Sequence, residues 1–310
     1  MGRGRRSRSE PIDGLLLLNK PAGLTSNQAL QRVKRLLNAR KAGHTGSLDP
    51  AATGMLPLCF GEATKVCAFL LDADKTYRVT ARLGSATDTA DADGVEIATA
   101  DVPELSADEW RKILESFLGE SLQVPPMYSA LKKNGKRLYE LARKGETIER
   151  EPRPIRIDEI SLLEIAGARL VFWVHCSKGT YVRTLVEDIA KKAGTVAHTA
   201  RLHRESVGDF RAEDMLDLEG LEEVAASGSE GLKARLLSPD TALEGLTAVE
   251  LDNDASDRFA VGQVNSVSVP ATAGLVRVYG GAKEFLGVGE LSADGQLAPK
   301  RVFRTGEKNP

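Results

Sequence analysis

An α+β domain carrying a small all-β appendage is what this sequence predicts, and three observations predict it. Through about residue 194, apolar positions of helical period alternate with short apolar or strictly alternating runs. From about residue 248 the pattern changes to short strands separated by turn residues. The length of 310 residues, 42% of them apolar, suffices for two such units with a sizeable core.

The elements follow in order. Residues 1–11 form a basic tail, expected to be flexible. Leu15 to Leu18 read as a short buried strand, stopped by the turn Asn19-Lys20-Pro21-Ala22-Gly23. Thr25 and Gln28 form a capping-box pattern ahead of a helix with Leu30, Val33, Leu36 and Leu37 on one face. A loop spans 42–54, and a second helix is expected across Glu62 to Leu71. In residues 76–83, Tyr77, Val79, Ala81 and Leu83 share one face of a half-buried strand. Ser106 and Glu109 cap a helix whose stripe is Trp110, Ile113, Leu114, Phe117 and Leu118, ending at Gly119. Residues 124–154 read as a Pro-flanked, basic and mobile excursion with a short helix around Leu138 to Ala142. Leu170 to Cys176, apolar on both faces, predicts a central strand. A helix follows with Val182, Leu185, Val186, Ile189 and Ala190, stopped by Gly194, and a loop is expected near 225–231. The appendage holds strands at Leu275 to Tyr279, Glu284 to Leu291 and Leu297 to Phe303, with Asp294-Gly295 as a turn.

Several function classes are excluded. The longest uncharged run, Phe259 to Val276, is broken by Gly, Pro, Asn, Gln and Ser, so no membrane span is expected. The apolar run after the basic N-terminus is too short for a signal peptide, which predicts a chain that is not secreted. Cys59, Cys67 and Cys176 form no CxxC pair and read as buried free thiols of a reducing cytoplasm. Four histidines without HExxH give no zinc site, and there is no Walker loop or GxGxxG after a strand.

The net charge of −2 conceals segregation. Residues 1–41 carry ten basic against two acidic side chains, and 131–156 carry nine against four. By contrast, 83–110 hold eight acids and no base. Such a distribution is either solvated surface charge or the footprint of phosphate binding.

The segment 43–54, Gly43-His44-Thr45-Gly46-Ser47-Leu48-Asp49-Pro50-Ala51-Ala52-Thr53-Gly54, is unusual in composition. Three glycines and a proline fix an irregular backbone around one imidazole and one carboxylate. The segment is either a plain turn, with Asp49 bonding its own backbone, or a loop that presents Asp49 and His44 for chemistry.

GHTGSLDPAATGMLP at 43–57 closely resembles the catalytic loop of the bacterial tRNA pseudouridine 55 synthases, the TruB family. Further matches follow in the family's order: LNKPAGLTS at 18–26, DKTYRV at 74–79 and LGSATDTADADG at 83–94. VPPMYSALKKNGKRLYELARKG at 124–145 and CSKGTYVRTL at 176–185 complete them, and the tail resembles the family's PUA-like domain. The resemblance covers roughly residues 12–305 and departs at the 1–11 extension and the 210–250 linker.

That resemblance implies a fold and an activity. The fold would be a central mixed, mostly antiparallel sheet flanked by helices, plus a small C-terminal PUA-like β-barrel. The divisions would be a tail at 1–11, a catalytic domain at 12–245 containing an RNA-binding insertion at 124–154, and the C-terminal domain at 246–310. The activity would be isomerisation of uridine 55 to pseudouridine in the T arm of elongator tRNAs, with the base flipped out and no cofactor or metal. Asp49 would be the catalytic residue, either stabilising positive charge at the sugar, attacking it, or taking a proton from C2′. Arg183 would pair with that carboxylate and keep it ionised and aimed. Tyr77 would stack on the uracil, Tyr181 would line the uridine pocket, Leu202 would pack on the nucleoside and His44 would meet rearranged RNA bases. Read from strand alternation alone, Tyr77 is a core tyrosine. Lys20, Lys132, Lys133, Lys136, Arg137, Arg143 and Lys144 would contact the RNA backbone. The expected setting is a cytoplasmic monomer acting on the tRNA stem-loop without guide RNA and without a membrane. Two rivals are a catalytically silent RNA binder and a carboxylate-dependent nucleoside hydrolase, whose second acid would have to come from the carboxylates at 88–96.

Overall fold

The computed structural model describes residues 10–129, 131–133, 135–267 and 272–303. Residues 1–9 of the predicted tail, and the side chains of Lys133 and Arg137, lie outside the described residues. In chain order the first elements are β1 (Gly14–Lys20), α1 (Ser26–Leu36), β2 (Ala42–His44), β3 (Thr53–Phe60), α2 (Cys67–Asp72) and β4 (Lys75–Leu83). A small hairpin, β5 (Ser85–Thr87) with β6 (Glu96–Thr99), precedes α3 (Ala107–Glu115) and β7 (Gly119–Gln123). The basic excursion contains β8 (Lys132–Lys133), β9 (Lys136–Arg137) and α4 (Leu138–Ala142). Then come β10 (Arg153–Ala166), β11 (Arg169–Cys176), α5 (Val182–Lys192), β12 (Ala197–Val207), β13 (Leu216–Asp217), α6 (Leu218–Ala226) and α7 (Ser229–Lys233). The C-terminal elements are β14 (Thr247–Glu250), α8 (Asn253–Ala260), β15 (Asn265–Ser266), β16 (Gly274–Tyr279), β17 (Phe285–Leu291) and β18 (Gln296–Val302).

One large sheet organises the chain in the order β13-β1-β3-β12-β4-β11-β10-β7, with β2 paired to β3. The β1–β13 and β3–β12 pairs are parallel and the rest antiparallel, so the sheet is mixed and mostly antiparallel, as expected. Leu15 to Leu18 are apolar at every position because both faces of β1 are covered. Leu16 and Leu18 join the main core with Leu30, Val33, Trp110, Leu114, Leu185, Val186, Ile189 and Leu221, which come from the flanking helices. Leu15 and Leu17 face a second cluster with Met55, Cys59, Val66, Leu70, Val288 and Phe303. That cluster seats α2 and the C-terminal unit on the opposite face of the sheet. The unit itself is a five-stranded sheet, β14-β16-β17-β18-β15, which curls as a half-barrel around Val249, Phe259, Val276, Val278 and Leu297.

The capping boxes at Thr25 and Ser106 form as the sequence predicts. Three expectations are corrected. The helix expected across Glu62 to Leu71 is split into a 3-10 turn, Gly61–Lys65, and the separate α2. The Thr64 hydroxyl donates to the Gly61 carbonyl at 2.7 Å, a local bond that competes with helix continuation. The loop expected across 42–54 is shorter, since β2 and β3 take both of its ends. β3 is hidden by Pro57, which is tolerated because it lies just past the last β2–β3 pair, His44 with Leu58, where its carbonyl still accepts from Thr45 N at 3.1 Å. The loop expected near 225–231 is instead the junction of α6 and α7, broken at Gly228 with φ 118°. Finally, β12 escaped prediction because bulges between Thr199 and Arg201, and between Arg204 and Ser206, interrupt its alternation.

Candidate active site

The residues 45–52 form the tip of the β2–β3 hairpin, and Asp49 sits on it beside β12. Two anchors fix the loop. The buried Ser26 hydroxyl accepts from Leu48 N at 2.8 Å and donates to Leu48 O at 3.0 Å. Gly23 N donates to Pro50 O at 2.9 Å, tying the turn after β1 to the far side of Asp49. Within the loop, Ala52 N closes on Asp49 O at 3.1 Å.

Arg183, in the first turn of α5, reaches the loop from behind. Its Nε lies 3.0 Å from Asp49 Oδ2 and its Nη2 3.5 Å from Oδ1. The guanidinium is 7% exposed, whereas the Asp49 side chain is 41% exposed. The pair is therefore anchored at its basic end and open at its acidic end. Arg183 is held in turn by the Thr89 carbonyl at 2.8 Å from Nη1 and the Tyr128 carbonyl at 2.7 Å from Nη2. Asp91 stands 3.5 Å from Nη1, and its other oxygen accepts from the Thr89 hydroxyl at 2.5 Å and Asp93 N at 3.1 Å. Each terminal nitrogen of the fork thus serves both a carbonyl and a carboxylate, which is the geometry a planar guanidinium favours.

Partial burial pushes the Asp49 carboxyl above its ordinary range, against the opposing pull of Arg183. The sequence expectation that arginine keeps this group ionised is therefore only half of the electrostatics: desolvation outweighs it. Asp49, Ala51, Ala52, Asp91, Arg183, Thr199 and Leu202 line a small recess of about 20 Å³. That is room for about one water molecule.

The predicted site residues do not all converge equally. Asp49, Arg183 and Leu202 meet at the recess. Tyr181 is the N-cap of α5, next to but not among the residues that line the recess, and burial pushes its phenol above its usual value. Gln123 fixes Tyr181 by accepting from its N–H at 2.8 Å and donating to its carbonyl at 3.1 Å. Tyr77 belongs to the main core with its hydroxyl beside Arg204, and burial pushes its phenol above its usual value as well. His44 ends β2 with Nδ1 buried and unpartnered, and burial holds the imidazole below its usual value, in the neutral form. Lys132, Lys136, Arg143 and Lys144 are exposed on the excursion, where Arg143 stacks over Tyr139 at 5.5 Å. The expected backbone contacts Lys133 and Arg137 have side chains outside the described residues.

Lys20 departs from its expected role. Its side chain is 0% exposed and cannot meet a phosphate. Its Nζ donates to the carbonyls of Pro21 at 2.8 Å, Leu24 at 2.7 Å and Pro50 at 3.2 Å, and burial pushes it down to about 8. It is an internal clamp between β1 and the Asp49 loop, which corrects the RNA-backbone assignment.

Sequence reasoning did not single out Ser26, Asp91, Gln123 or Arg204. Arg204 is fully buried and donates from Nε to Met55 O at 2.7 Å and from Nη2 to Gly46 O at 2.9 Å, bracing both ends of the loop. Ser26 lies inside LNKPAGLTS and Asp91 inside LGSATDTADADG, and a polar residue within a family motif was the available signal. Gln123 on β7 carried none. Among the described residues one group, Asp74, Asp158 and His175, brings three metal-type ligand atoms within 4.8 Å. Arg156 bridges its two carboxylates, at 3.0 Å to Asp74 and 2.7 Å to Asp158, and so already supplies the cation.

Known proteins resemble this chain in sequence and in fold. The TruB family pseudouridylate synthase N-terminal domain matches residues 34–182. Two TruB C-terminal domain families match 183–244 and 247–303. A protein of Nitrosococcus oceani named tRNA pseudouridine synthase B is 49% identical over 98% of this chain and 98% of its own. One of Vibrio vulnificus with the same name is 48% identical over 98% of this chain and 99% of its own. Among solved structures, a Cbf5-Nop10-Gar1 complex matches with TM-score 0.70 and 28% identity, over 91% of this chain and 79% of that one. An H/ACA RNP bound to a substrate RNA containing 2′-deoxyuridine matches with TM-score 0.71 and 25% identity, over 94% and 85%.

The sheet with its C-terminal unit, and the family and relatives it matches, define a pseudouridine synthase. Within that class the extent of the family match decides the matter. The chain belongs to the TruB family.

Proposed function

We propose that this chain converts uridine 55 in the T stem-loop of elongator tRNAs to pseudouridine, with Asp49 as the catalytic residue. The carrying observation is the Asp49–Arg183 pair, exposed at the carboxylate and sealed at the guanidinium. In the reaction the N1–C1′ bond breaks, the C5–C1′ bond forms, C5 loses a proton and N1 gains one. No electron or group is transferred, so the chemistry requires neither cofactor nor metal. Asp49 would meet the sugar, while Arg183 offsets the cost of holding it charged.

The target nucleoside is larger than the recess, so binding requires its walls to part. Loop 88–94, Tyr128 of the excursion and Leu202 are the surrounding parts, and extrusion of the base supplies the occupant. In that opened state Tyr77 would reach the uracil face, and Tyr181 and Leu202 would line the nucleoside. His44, neutral and unpartnered, would offer a hydrogen bond to the displaced RNA. Lys132, Lys136, Arg143 and Lys144, with Lys133 and Arg137, would neutralise phosphates.

The relatives named tRNA pseudouridine synthase B match 98% of this chain, which supports action on tRNA, and we assign it action without guide RNA. We assign it a monomeric state and a cytoplasmic setting, with a catalytic domain at 12–245 including the insertion at 124–154 and an RNA-binding unit at 246–310.

The test is an unmodified tRNA transcript tritiated at uracil C5. Release of label into water without free uracil, abolished when only uridine 55 is replaced by cytidine, is the expected result. Free uracil would identify a hydrolase, and no release would identify a silent binder; either overturns the proposal.

A further inference from the structure

Cys59 and Cys67, unremarkable in sequence, meet in the fold. Cys59 lies on β3 with its side chain in the apolar cluster beneath the C-terminal unit, and Cys67 opens α2 at the edge of that cluster. Gly43 on β2 is the cross-strand partner of Cys59. A Cβ built on Gly43 would stand 3.6 Å from Cys67 Sγ. Cross-strand Cβ positions lie on one face, about 4.5–5.5 Å apart. The bare Gly43 therefore leaves a place in which the Cys67 sulfur sits beside the Cys59 thiol.

The two thiols are unlike. Cys59 is fully buried, while Cys67 is only partly buried and keeps some contact with solvent. The neighbouring Cys59 thiol, with help from the positive charge of Lys41, holds the Cys67 thiol below its usual value. Cys67 together with burial pushes Cys59 up. An accessible, more acidic sulfur backed by a buried protonated one is the arrangement of an attacking and a resolving cysteine.

We propose that Cys59 and Cys67 form a reversible disulfide when the protein meets a peroxide. The Cys67 thiolate attacks one peroxide oxygen; the O–O bond breaks, hydroxide leaves and takes up a proton as water, and the sulfur becomes a sulfenic acid. The Cys59 sulfur then attacks that sulfur. The S–O bond breaks, the S–S bond forms, and the departing hydroxide takes the Cys59 proton as a second water. Two thiols are oxidised and one peroxide is reduced. The bond would join β3, which with β2 carries the Asp49 loop, to α2.

The experiment treats the full chain with hydrogen peroxide, alkylates free thiols under denaturing conditions and digests with trypsin without reduction. Cleavage after Lys41, Lys65 and Lys75 places the two cysteines on peptides 42–65 and 66–75. The expected result is a disulfide-linked pair of those peptides, alkylation of Cys176 alone, and return of all three thiols after dithiothreitol. Cys67→Ser and Cys59→Ser should each lose the linkage, with dimedone trapping a sulfenic acid on Cys67 in Cys59→Ser, while Cys176→Ser keeps it. Three alkylated thiols after peroxide, a sulfinic acid on Cys67 beside a free Cys59, or a linkage through Cys176 or between chains would overturn the proposal.

Discussion

Arg183 grips Asp49 with two nitrogens, Nε at 3.0 Å and Nη2 at 3.5 Å, while the same guanidinium is bound by two backbone carbonyls and by Asp91. The arginine is thus a fixed part of the scaffold and the aspartate its adjustable, solvent-facing partner.

Arg183→Lys keeps the charge but removes the fork. A lysine cannot serve Asp49, Thr89 and Tyr128 together, and each charged hydrogen bond removed is worth about 1.5–3 kcal/mol. We expect kcat to fall by roughly tenfold to a hundredfold, since 1.4 kcal/mol is a factor of ten. Single-turnover rates and filter binding would check this, with RNA affinity retained within a few-fold. An unchanged rate would remove Arg183 from the site.

Asp49→Asn should abolish turnover and reveal a pH-dependent stability difference. The folded-state pKa of Asp49 is raised above its unfolded value of about 3.9. Between those two values the folded chain holds the extra proton, so the wild type loses stability as pH rises through that window. The asparagine variant is free of this effect. Its unfolding temperature relative to wild type should therefore climb from about pH 3 towards neutrality, and a difference that is flat across pH would contradict the direction of the shift.

Lys20→Met should act on the fold and not on the phosphate interface. Three carbonyls are left without their donor, at about 1–3 kcal/mol for each one unsatisfied, so denaturant midpoints should drop. The slope of log affinity against log salt should stay that of wild type. Removing Lys132, Lys136, Arg143 and Lys144 together should instead flatten that slope by roughly 0.7–0.9 for each phosphate no longer neutralised. Opposite results would exchange the assignments of the two groups.

Gly54→Ala tests the closest approach in the site. A Cβ there would lie 2.2 Å from the Arg204 carbonyl oxygen, at φ +99°. Relief requires β3 and β12 to separate where Arg204 braces the loop. The expected cost is on the order of 1–3 kcal/mol from backbone strain alone, with the clash added to it. Thermal unfolding would measure it, and a variant as stable as wild type would contradict the register of these strands.

Much of the design is legible in the sequence because it is local. Capping boxes at Thr25 and Ser106 depend on residues three apart, and the alternation of Tyr77, Val79, Ala81 and Leu83 depends on residues two apart. The Asp49 loop is legible through its composition and its likeness to a family. The strands β3 and β12 are not, because Pro57 and two bulges break the periods on which strand reading relies.

The sequence by itself determined the helices α1, α3 and α5, the strands β1, β4 and β11, the presence of the C-terminal β unit and which carboxylate is a candidate for chemistry. Tertiary structure alone decided that Lys20 is buried, that Arg204 braces the loop, that Asp91 and Gln123 belong to the site, and that two cysteines touch. Each of these rests on contacts between residues far apart in the chain or on opposite strands. Local periodicity carries no information about such pairs, since burial and partner are properties of the packed sheet and not of the neighbours in sequence.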